Sequence, residues 1–254
     1  MAETIAVIKE KFQQTDREGW NLLLEQYKED NRQGVQNIIK KYTREQEKYQ
    51  QELIRTEHMY TYEKKYQECR YICGIDEVGR GPLAGPVVAC AVMLPKEEKI
   101  LYLNDSKQLS AAKREELCEI IKEKALGIGI GIVEPEEIDK LNILQATYKA
   151  MRMAISKLPH EPDILLNDAV IIPEVEIEQM GIIKGDTKSA SIAAASIVAK
   201  VTRDQMMVEY EKEYPGYGFA SNKGYGSKEH MEALKKMGPT KIHRRSFIKN
   251  METE

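Results

Sequence analysis

The chain reads Tyr71-Ile72-Cys73-Gly74-Ile75 and then Asp76-Glu77-Val78-Gly79-Arg80-Gly81. The first five residues form an apolar run, which predicts a buried strand. This strand ends in two adjacent carboxylates, which are costly to bury without a cation or hydrogen bonds. The glycines let the following loop approach a ligand closely. Carboxylates, exposed amides and an arginine together suit a metal ion beside a phosphate, whereas an Asp-Glu pair alone would fit an ordinary polar turn.

The chain from residue 71 onward combines strand and helix patterns. Three strand patterns come first, and two shorter strands then lie among helices, which predicts a mixed five-stranded sheet with helices on its faces. The fold class is therefore α/β. The predicted strands cover residues 71–76, 85–94, 125–133, 163–170 and 181–184, and the predicted helices cover 110–124, 142–157, 187–214 and 227–237.

Residues 1–70 have a different texture. They are rich in Gln, Glu, Lys and Tyr and contain no proline. Apolar residues recur at helical spacing on both sides of the polar stretch 30–34, and a longer polar helical pattern runs from Thr43 to about Glu68. We predict a helical extension at 1–70 and an α/β domain with a helical C-terminal region at 71–254. The extension either packs as an appendage or uses its tyrosines and lysines to contact nucleic acid.

Charge is distributed unevenly along the 254 residues. The net charge of the chain is −3, but residues 71–179 carry −7 and residues 180–254 carry +4. An acidic middle can hold divalent cations and a basic end can hold phosphates, although such segments are often only solvated surface. No apolar run is long enough to span a membrane, and the four cysteines lack paired spacing. We expect a cytoplasmic protein with reduced thiols and no membrane association.

Two further predicted strands also end in aspartate. Asp168 follows Ile164-Leu165-Leu166-Asn167, and Asp186 follows Ile182-Ile183-Lys184-Gly185. Ends of neighbouring parallel strands lie side by side, so Asp76, Glu77, Asp168 and Asp186 are expected to converge. Carboxylates without nearby His or Cys suit Mg²⁺ or Mn²⁺. The alternative for Asp186 is an ordinary N-cap of the helix that follows.

Further motifs follow one another along residues 71–248. They are 74–87, Asp105-Ser106-Lys107-Gln108-Leu109-Ser110, Lys184-Gly185-Asp186, 191–204, Asn222-Lys223-Gly224-Tyr225-Gly226, and His243-Arg244 with Ser246-Phe247. In this order they resemble the motifs of the bacterial type 2 ribonucleases H, the ribonuclease HII family. One position differs from the usual pattern, because Asn167 stands where the family usually has an apolar residue before its third carboxylate.

The resemblance implies a ribonuclease H-like fold and an endonuclease. Its substrates would be the RNA strand of RNA/DNA hybrids and single ribonucleotides embedded in duplex DNA. Cleavage 5′ of the ribonucleotide would leave 3′-OH and 5′-phosphate ends by two-metal-ion catalysis with Mn²⁺ or Mg²⁺. The implied metal-binding catalytic residues are Asp76, Glu77, Asp168 and Asp186, and the implied substrate-binding residues are Gly79, Arg80, Gly81, Lys107, Lys223 and Tyr225.

Other interpretations of the same residues remain open. Tyr225 could pack under a loop, Lys107 could be a solvated lysine, and His243 suits a structural or phosphate-binding role. A non-catalytic hybrid-binding module would lack a carboxylate, and none is missing here. A nucleotide-binding loop at 79–85 is disfavoured because no Gly-Lys-Ser/Thr follows. Another nuclease of the same superfamily would differ in its product ends. We expect a monomer.

Overall fold

The computed structural model describes residues 3–249 and divides the chain between Glu57 and His58 into two compact units. The first unit has its own apolar core, in which the Phe12 and Tyr42 rings stack with centroids 4.6 Å apart. Its helices are α1 (Ile5–Gln14), α2 (Trp20–Tyr27) and α3 (Gln33–Met59), the last of which runs on past Glu57. The predicted separate helix from Thr43 is thus the second half of α3, which starts at Gln33 despite Gly34.

The second unit contains a mixed sheet between two layers of helices, as the sequence predicts. Within the described residues, the strands are β1 (Ile72–Val78), β2 (Val87–Met93), β3 (Gly127–Val133), β4 (Ile164–Asp168) and β5 (Glu178–Ile182). The helices are α4 (Thr61–Lys65), α5 (Ala111–Lys124), α6 (Pro135–Leu141), α7 (Ile143–Ser156), α8 (Ala190–Glu213), α9 (Phe219–Asn222), α10 (Lys228–Met237) and α11 (Arg245–Ile248).

The strand order is β3-β2-β1-β4-β5. β1, β2 and β3 are antiparallel neighbours, while β4 and β5 continue the sheet in parallel with β1. β2 is buried along its whole length because its alternate side chains enter two cores, one beneath α5 and α8 and the other beneath α7. Thus both faces of the sheet are covered.

β5 is the strand whose predicted limits are wrong. It covers Glu178–Ile182 and not 181–184, because its pairing with β4 begins at Ile164 opposite Glu178. Its polar start hides it in the sequence. The Gln179 side chain accepts a hydrogen bond from Asn167 Nδ2 at 2.9 Å, so the buried residue Asn167 has a half-buried partner on the neighbouring strand.

Residues 58–70 belong by their contacts to the second unit. The Tyr60 hydroxyl accepts a hydrogen bond from Ile100 N at 3.1 Å. Glu63 Oε1 accepts hydrogen bonds from Ser189 Oγ at 2.6 Å, from Ser191 N at 2.9 Å and from Ser191 Oγ at 2.7 Å. The division between the two units therefore falls between Glu57 and His58, whereas the sequence predicts it after residue 70. No helix within residues 3–249 has the length and apolar character that a membrane span requires.

Candidate active site

The carboxyl ends of β1 and β4 carry acidic side chains next to each other. The parallel register ends with Ile75 opposite Asn167, so Asp76 and Asp168 follow side by side. The close crossing of α8 over β1 requires Gly74, because a Cβ there would lie 2.0 Å from the Ser191 carbonyl carbon. This crossing brings the beginning of α8, and the turn before it, to the end of the sheet.

Asp186 lies in that turn, the 3₁₀ segment Gly185–Thr187. It is not the N-cap of α8: Ser189 takes that position, and its Oγ accepts a hydrogen bond from Ile192 N at 3.4 Å. The capping interpretation of Asp186 is therefore wrong. The turn is fastened to β4 by Gly185 N–H, which donates to Asp168 Oδ1 at 2.7 Å.

We call Asp76, Glu77, Asp168 and Asp186 the acidic cluster. Burial, followed by the charges of Glu77 and Asp168, holds the pKa of Asp76 well above its usual value. Burial and Asp168 also raise the pKa of Glu77, although Arg80 opposes this shift. The pKa of Asp186 is raised by burial, then by Asp105 and Asp168. The charge of Asp168 acts on all three, which indicates that the four predicted residues share one site.

The acidic cluster fits divalent cations by its chemistry. Its donors are carboxylate oxygens, the ligands that Mg²⁺ and Mn²⁺ prefer. The pKa values are raised first by burial and then by neighbouring negative charge, and a bound cation would offset both costs. Within residues 3–249, however, no three His, Cys, Asp or Glu side chains already surround a common point. The carboxylates instead take partners of their own: Asp76 accepts from Glu77 N–H at 2.7 Å, and Glu77 lies 3.3 Å from Arg80 Nη1.

An open cleft of about 560 Å³ adjoins the acidic cluster and is lined by Asp105, Asp168, Lys184 and Asp186 among others. Lys107 lies in the 3₁₀ turn Ser106–Gln108, and its charge lowers the pKa of both Glu77 and Asp186. Lys107 is thus close to the carboxylates and exposed, as a phosphate-binding lysine must be.

The predicted substrate loop and Tyr225 lie against each other. A Cβ on Gly81 would be 3.7 Å from Tyr225 Cε1, and Leu83 N–H donates to Gly224 O at 2.8 Å. Tyr225 is 45% exposed, so packing beneath a loop does not account for its ring. Lys223 adopts a left-handed conformation in the same turn, with its Nζ 2.6 Å from Ala220 O.

Two residues that touch this site were not among the predicted site residues, although both lie in segments that match the family. Ser196 on α8 lies within hydrogen-bonding reach of Asp76, and its Oγ is 3.0 Å from Ser106 Oγ. The charge of Asp105 raises the pKa of Asp186, and the Asp105 carboxylate also accepts a hydrogen bond from Lys107 N at 2.9 Å. His243, by contrast, is buried against His230, with 3.0 Å between the two Nε2 atoms, so its role here is structural.

Comparisons with known proteins agree with this arrangement. The family model "Ribonuclease HII" matches residues 73–250, and the model "Ribonuclease HII N-terminal domain" matches residues 4–67. A ribonuclease HII of Lachnoclostridium phytofermentans is 58% identical over 96% of this chain and 90% of its own length.

Solved structures have the same fold as the second unit. Ribonuclease H2 from Pyrococcus horikoshii superposes with a TM-score of 0.61 at 26% identity, over 72% of this chain and 97% of its own. Bst-RNase HIII in complex with Mn²⁺ superposes with a TM-score of 0.52 at 19% identity, over 72% of this chain and 65% of its own. Taken with the sequence matches, these likenesses establish that the chain belongs to the ribonuclease HII family, a family of ribonucleases H that cleave the RNA of RNA/DNA hybrids.

Proposed function

We propose that this protein also incises duplex DNA on the 5′ side of a single embedded ribonucleotide, leaving 3′-OH and 5′-phosphate ends. The observation that carries the proposal is the contact between the Gly79–Gly81 loop and Tyr225 beside the acidic cluster. A loop with free amides can bind a 2′-OH, the group that distinguishes RNA from DNA. An aromatic ring next to that loop can pack on the sugar of the neighbouring deoxynucleotide.

Asp76, Glu77, Asp168 and Asp186 would hold two divalent ions, Mn²⁺ or Mg²⁺. When bound, such ions activate water and stabilise the leaving oxygen of a phosphodiester. The raised pKa values of Asp76, Glu77 and Asp186 support this role, because burial and neighbouring negative charge make the ionised carboxyls costly unless a cation is bound. Among the solved neighbours, the Mn²⁺ complex of Bst-RNase HIII is consistent with it.

The remaining residues bind and orient the substrate. Lys107 and Lys223 neutralise phosphates on either side of the scissile bond. The ribose is held by the backbone of Gly79, Arg80 and Gly81 and by the guanidinium of Arg80. Tyr225 fixes the deoxyribose that follows, and this places the phosphate on the 5′ side of the ribose at the acidic cluster. This activity would serve the removal of ribonucleotides from DNA by a cytoplasmic, monomeric enzyme.

One assay tests the proposal. Three end-labelled duplexes are incubated with Mn²⁺ or Mg²⁺, with and without chelator: an RNA/DNA hybrid, a DNA duplex with one ribonucleotide, and the same duplex without it. We expect metal-dependent cleavage of the first two and a single cut 5′ of the ribonucleotide in the second. Cleavage of the hybrid alone would contradict the proposal.

A further inference from the structure

Two arginines, which we call the arginine pair, are completely buried next to the loop after β1. Arg203 on α8 and Arg244 just before α11 both have 0% exposure. Neither makes a salt bridge among the ion pairs of residues 3–249. A buried charge without a counter-ion is costly, so the contacts that replace the counter-ion point to a role for the pair.

Backbone carbonyl oxygens take the place of the counter-ion. Arg244 donates from Nε to Gly85 O at 2.9 Å, from Nη1 to Arg80 O at 2.9 Å and from Nη2 to Gly79 O. Arg203 donates from Nε to Pro86 O at 2.9 Å, from Nη2 to Ala84 O at 3.0 Å and from Nη1 to Lys223 O at 2.9 Å. The arginine pair therefore holds both ends of the loop 79–86 and also the turn that carries Tyr225.

The direction of these carbonyl groups decides what the loop presents to solvent. A peptide group is planar and trans, so its C=O and N–H point in opposite directions. Because Arg244 draws the carbonyls of Gly79 and Arg80 inward, the N–H groups of Arg80 and Gly81 point away from Arg244. Both residues are exposed, and no turn or loop hydrogen bond of residues 3–249 uses either N–H as its donor.

We propose that Arg244, supported by Arg203, is the positioning residue for ribose recognition, because it turns the N–H groups of Arg80 and Gly81 outward as donors to the 2′-OH. This inference rests on the proposed function. It assigns to a buried side chain, which cannot itself touch the substrate, the geometry by which the loop tells ribose from deoxyribose.

Close packing leaves the backbone of the loop 79–86 little room for a different conformation. Gly79 has φ +91°, and a Cβ there would lie 2.3 Å from Arg203 Nε and 2.6 Å from Pro86 O. The backbone and the guanidinium are thus packed directly on each other. A lysine at position 244 keeps the positive charge but lacks the planar fork, so it cannot bind the carbonyls of Gly79, Arg80 and Gly85 together.

The test compares the binding of two duplexes, one with a single ribonucleotide and one entirely of DNA, at fixed salt and with EDTA so that nothing is cleaved. The measured quantity is the dissociation constant of the all-DNA duplex divided by that of the ribonucleotide-containing duplex. We expect Arg244→Lys to lower this ratio at least about tenfold, roughly 1.4 kcal/mol. Affinity for the all-DNA duplex should change little, because Lys107 and Lys223 are intact.

Arg114→Lys is the matched control. Arg114 also holds a loop by its carbonyls, with Nη1 2.8 Å from Ser106 O and 2.6 Å from Leu109 O, but that loop does not contain the ribose-binding amides. This variant should weaken both duplexes alike and leave the ratio unchanged. A folded Arg244→Lys protein with the wild-type ratio would overturn the inference. If the ratio measured for the wild-type protein is itself near one, this result contradicts the proposed function, and the inference with it.

A second measurement uses the unaltered protein and decides the question if Arg244→Lys does not fold. The Nε–H signals of Arg203 and Arg244 are followed by NMR while each duplex is added. We expect the Arg244 signal to shift with the ribonucleotide-containing duplex and much less with the all-DNA duplex. Equal shifts would mean that the arginine pair supports the fold without a part in ribose recognition.

Discussion

The acidic cluster and the arginine pair both hold charge that is wholly or partly buried, but the protein compensates the arginines far more completely. Each guanidinium of the arginine pair donates to backbone carbonyls through Nε and both of its terminal nitrogens. The acidic cluster instead keeps three carboxyls with raised pKa values. A charge whose hydrogen bonds are satisfied within the protein can fix the conformation of a loop, whereas a charge without such partners is available to bind a ligand. The contrast separates a positioning role from a catalytic one.

The largest expected effect comes from removing one charge of the acidic cluster. Asp76→Asn should reduce cleavage at least about a thousandfold, roughly 4 kcal/mol, because it removes stabilisation that acts in the transition state. The protein should stay folded and still bind hybrid. Rates are measured at saturating Mg²⁺. A variant that keeps a tenth of wild-type activity would show that Asp76 has no essential part in catalysis.

Helix α8 connects the two groups, because the turn before it carries Asp186 and the helix itself carries Arg203. Glu63 binds the beginning of that helix. A chain that starts at residue 71 lacks Tyr60 and Glu63, so we expect it to be about 3 kcal/mol less stable to denaturant than one that starts at residue 58. The shorter chain should keep its cleavage chemistry where it is folded. If it is folded and binds hybrid but cannot cut, then residues before 71 contribute to the active site itself.

Substitution of Tyr225 tests the part of the comparison that concerns substrate recognition. Tyr225→Ala should cost about 1–3 kcal/mol in kcat/KM at a single embedded ribonucleotide, by analogy with base stacking. The loss on a long hybrid should be smaller, because many registers there offer a 2′-OH. Equal losses on both substrates would mean that Tyr225 supports binding or folding in general and does not read the junction.

The smallest effect concerns pH and the histidines beneath Tyr225. His243 Nδ1 accepts from Thr240 N–H at 2.9 Å, so its Nε2 donates to His230, whose Nδ1 donates to Tyr225 O at 2.8 Å. Burial lowers the pKa of His243 from 6.5 to about 4 and also lowers the pKa of His230. The unfolded chain therefore binds protons first, and stability should fall as pH drops from about 6.5 to about 4.

This pH dependence can be assigned by substitution. His243→Gln should make the melting temperature depend less on pH in that window. His160→Gln is the control, since His160 stacks on Tyr71 outside this network. An unchanged slope in His243→Gln would place the titration in other groups.

The sequence was enough to predict the mixed sheet, because the apolar runs before Asp76 and Asp168 report directly on strands β1 and β4. It could not choose between Asp186 as a cap and as a site residue, since that depends on Ser189 taking the cap. β5 was misplaced because Gln179 is a polar residue satisfied by a neighbouring strand. Arg203 and Arg244 lie in segments that match the family, but a charged residue in a sequence does not reveal that carbonyls from a distant loop surround it.

The most direct test of the central claim is the effect of Mn²⁺ on thermal stability in the wild type, Asp76→Asn and Arg244→Lys. A ligand that binds only the folded state stabilises it, by about 2.7 kcal/mol at a hundred times its dissociation constant. We predict that Mn²⁺ raises the melting temperature of the wild type and of Arg244→Lys alike, and raises that of Asp76→Asn far less. A wild-type melting temperature that does not respond to millimolar Mn²⁺, or a response that Arg244→Lys loses as fully as Asp76→Asn, would contradict the separation of the two clusters.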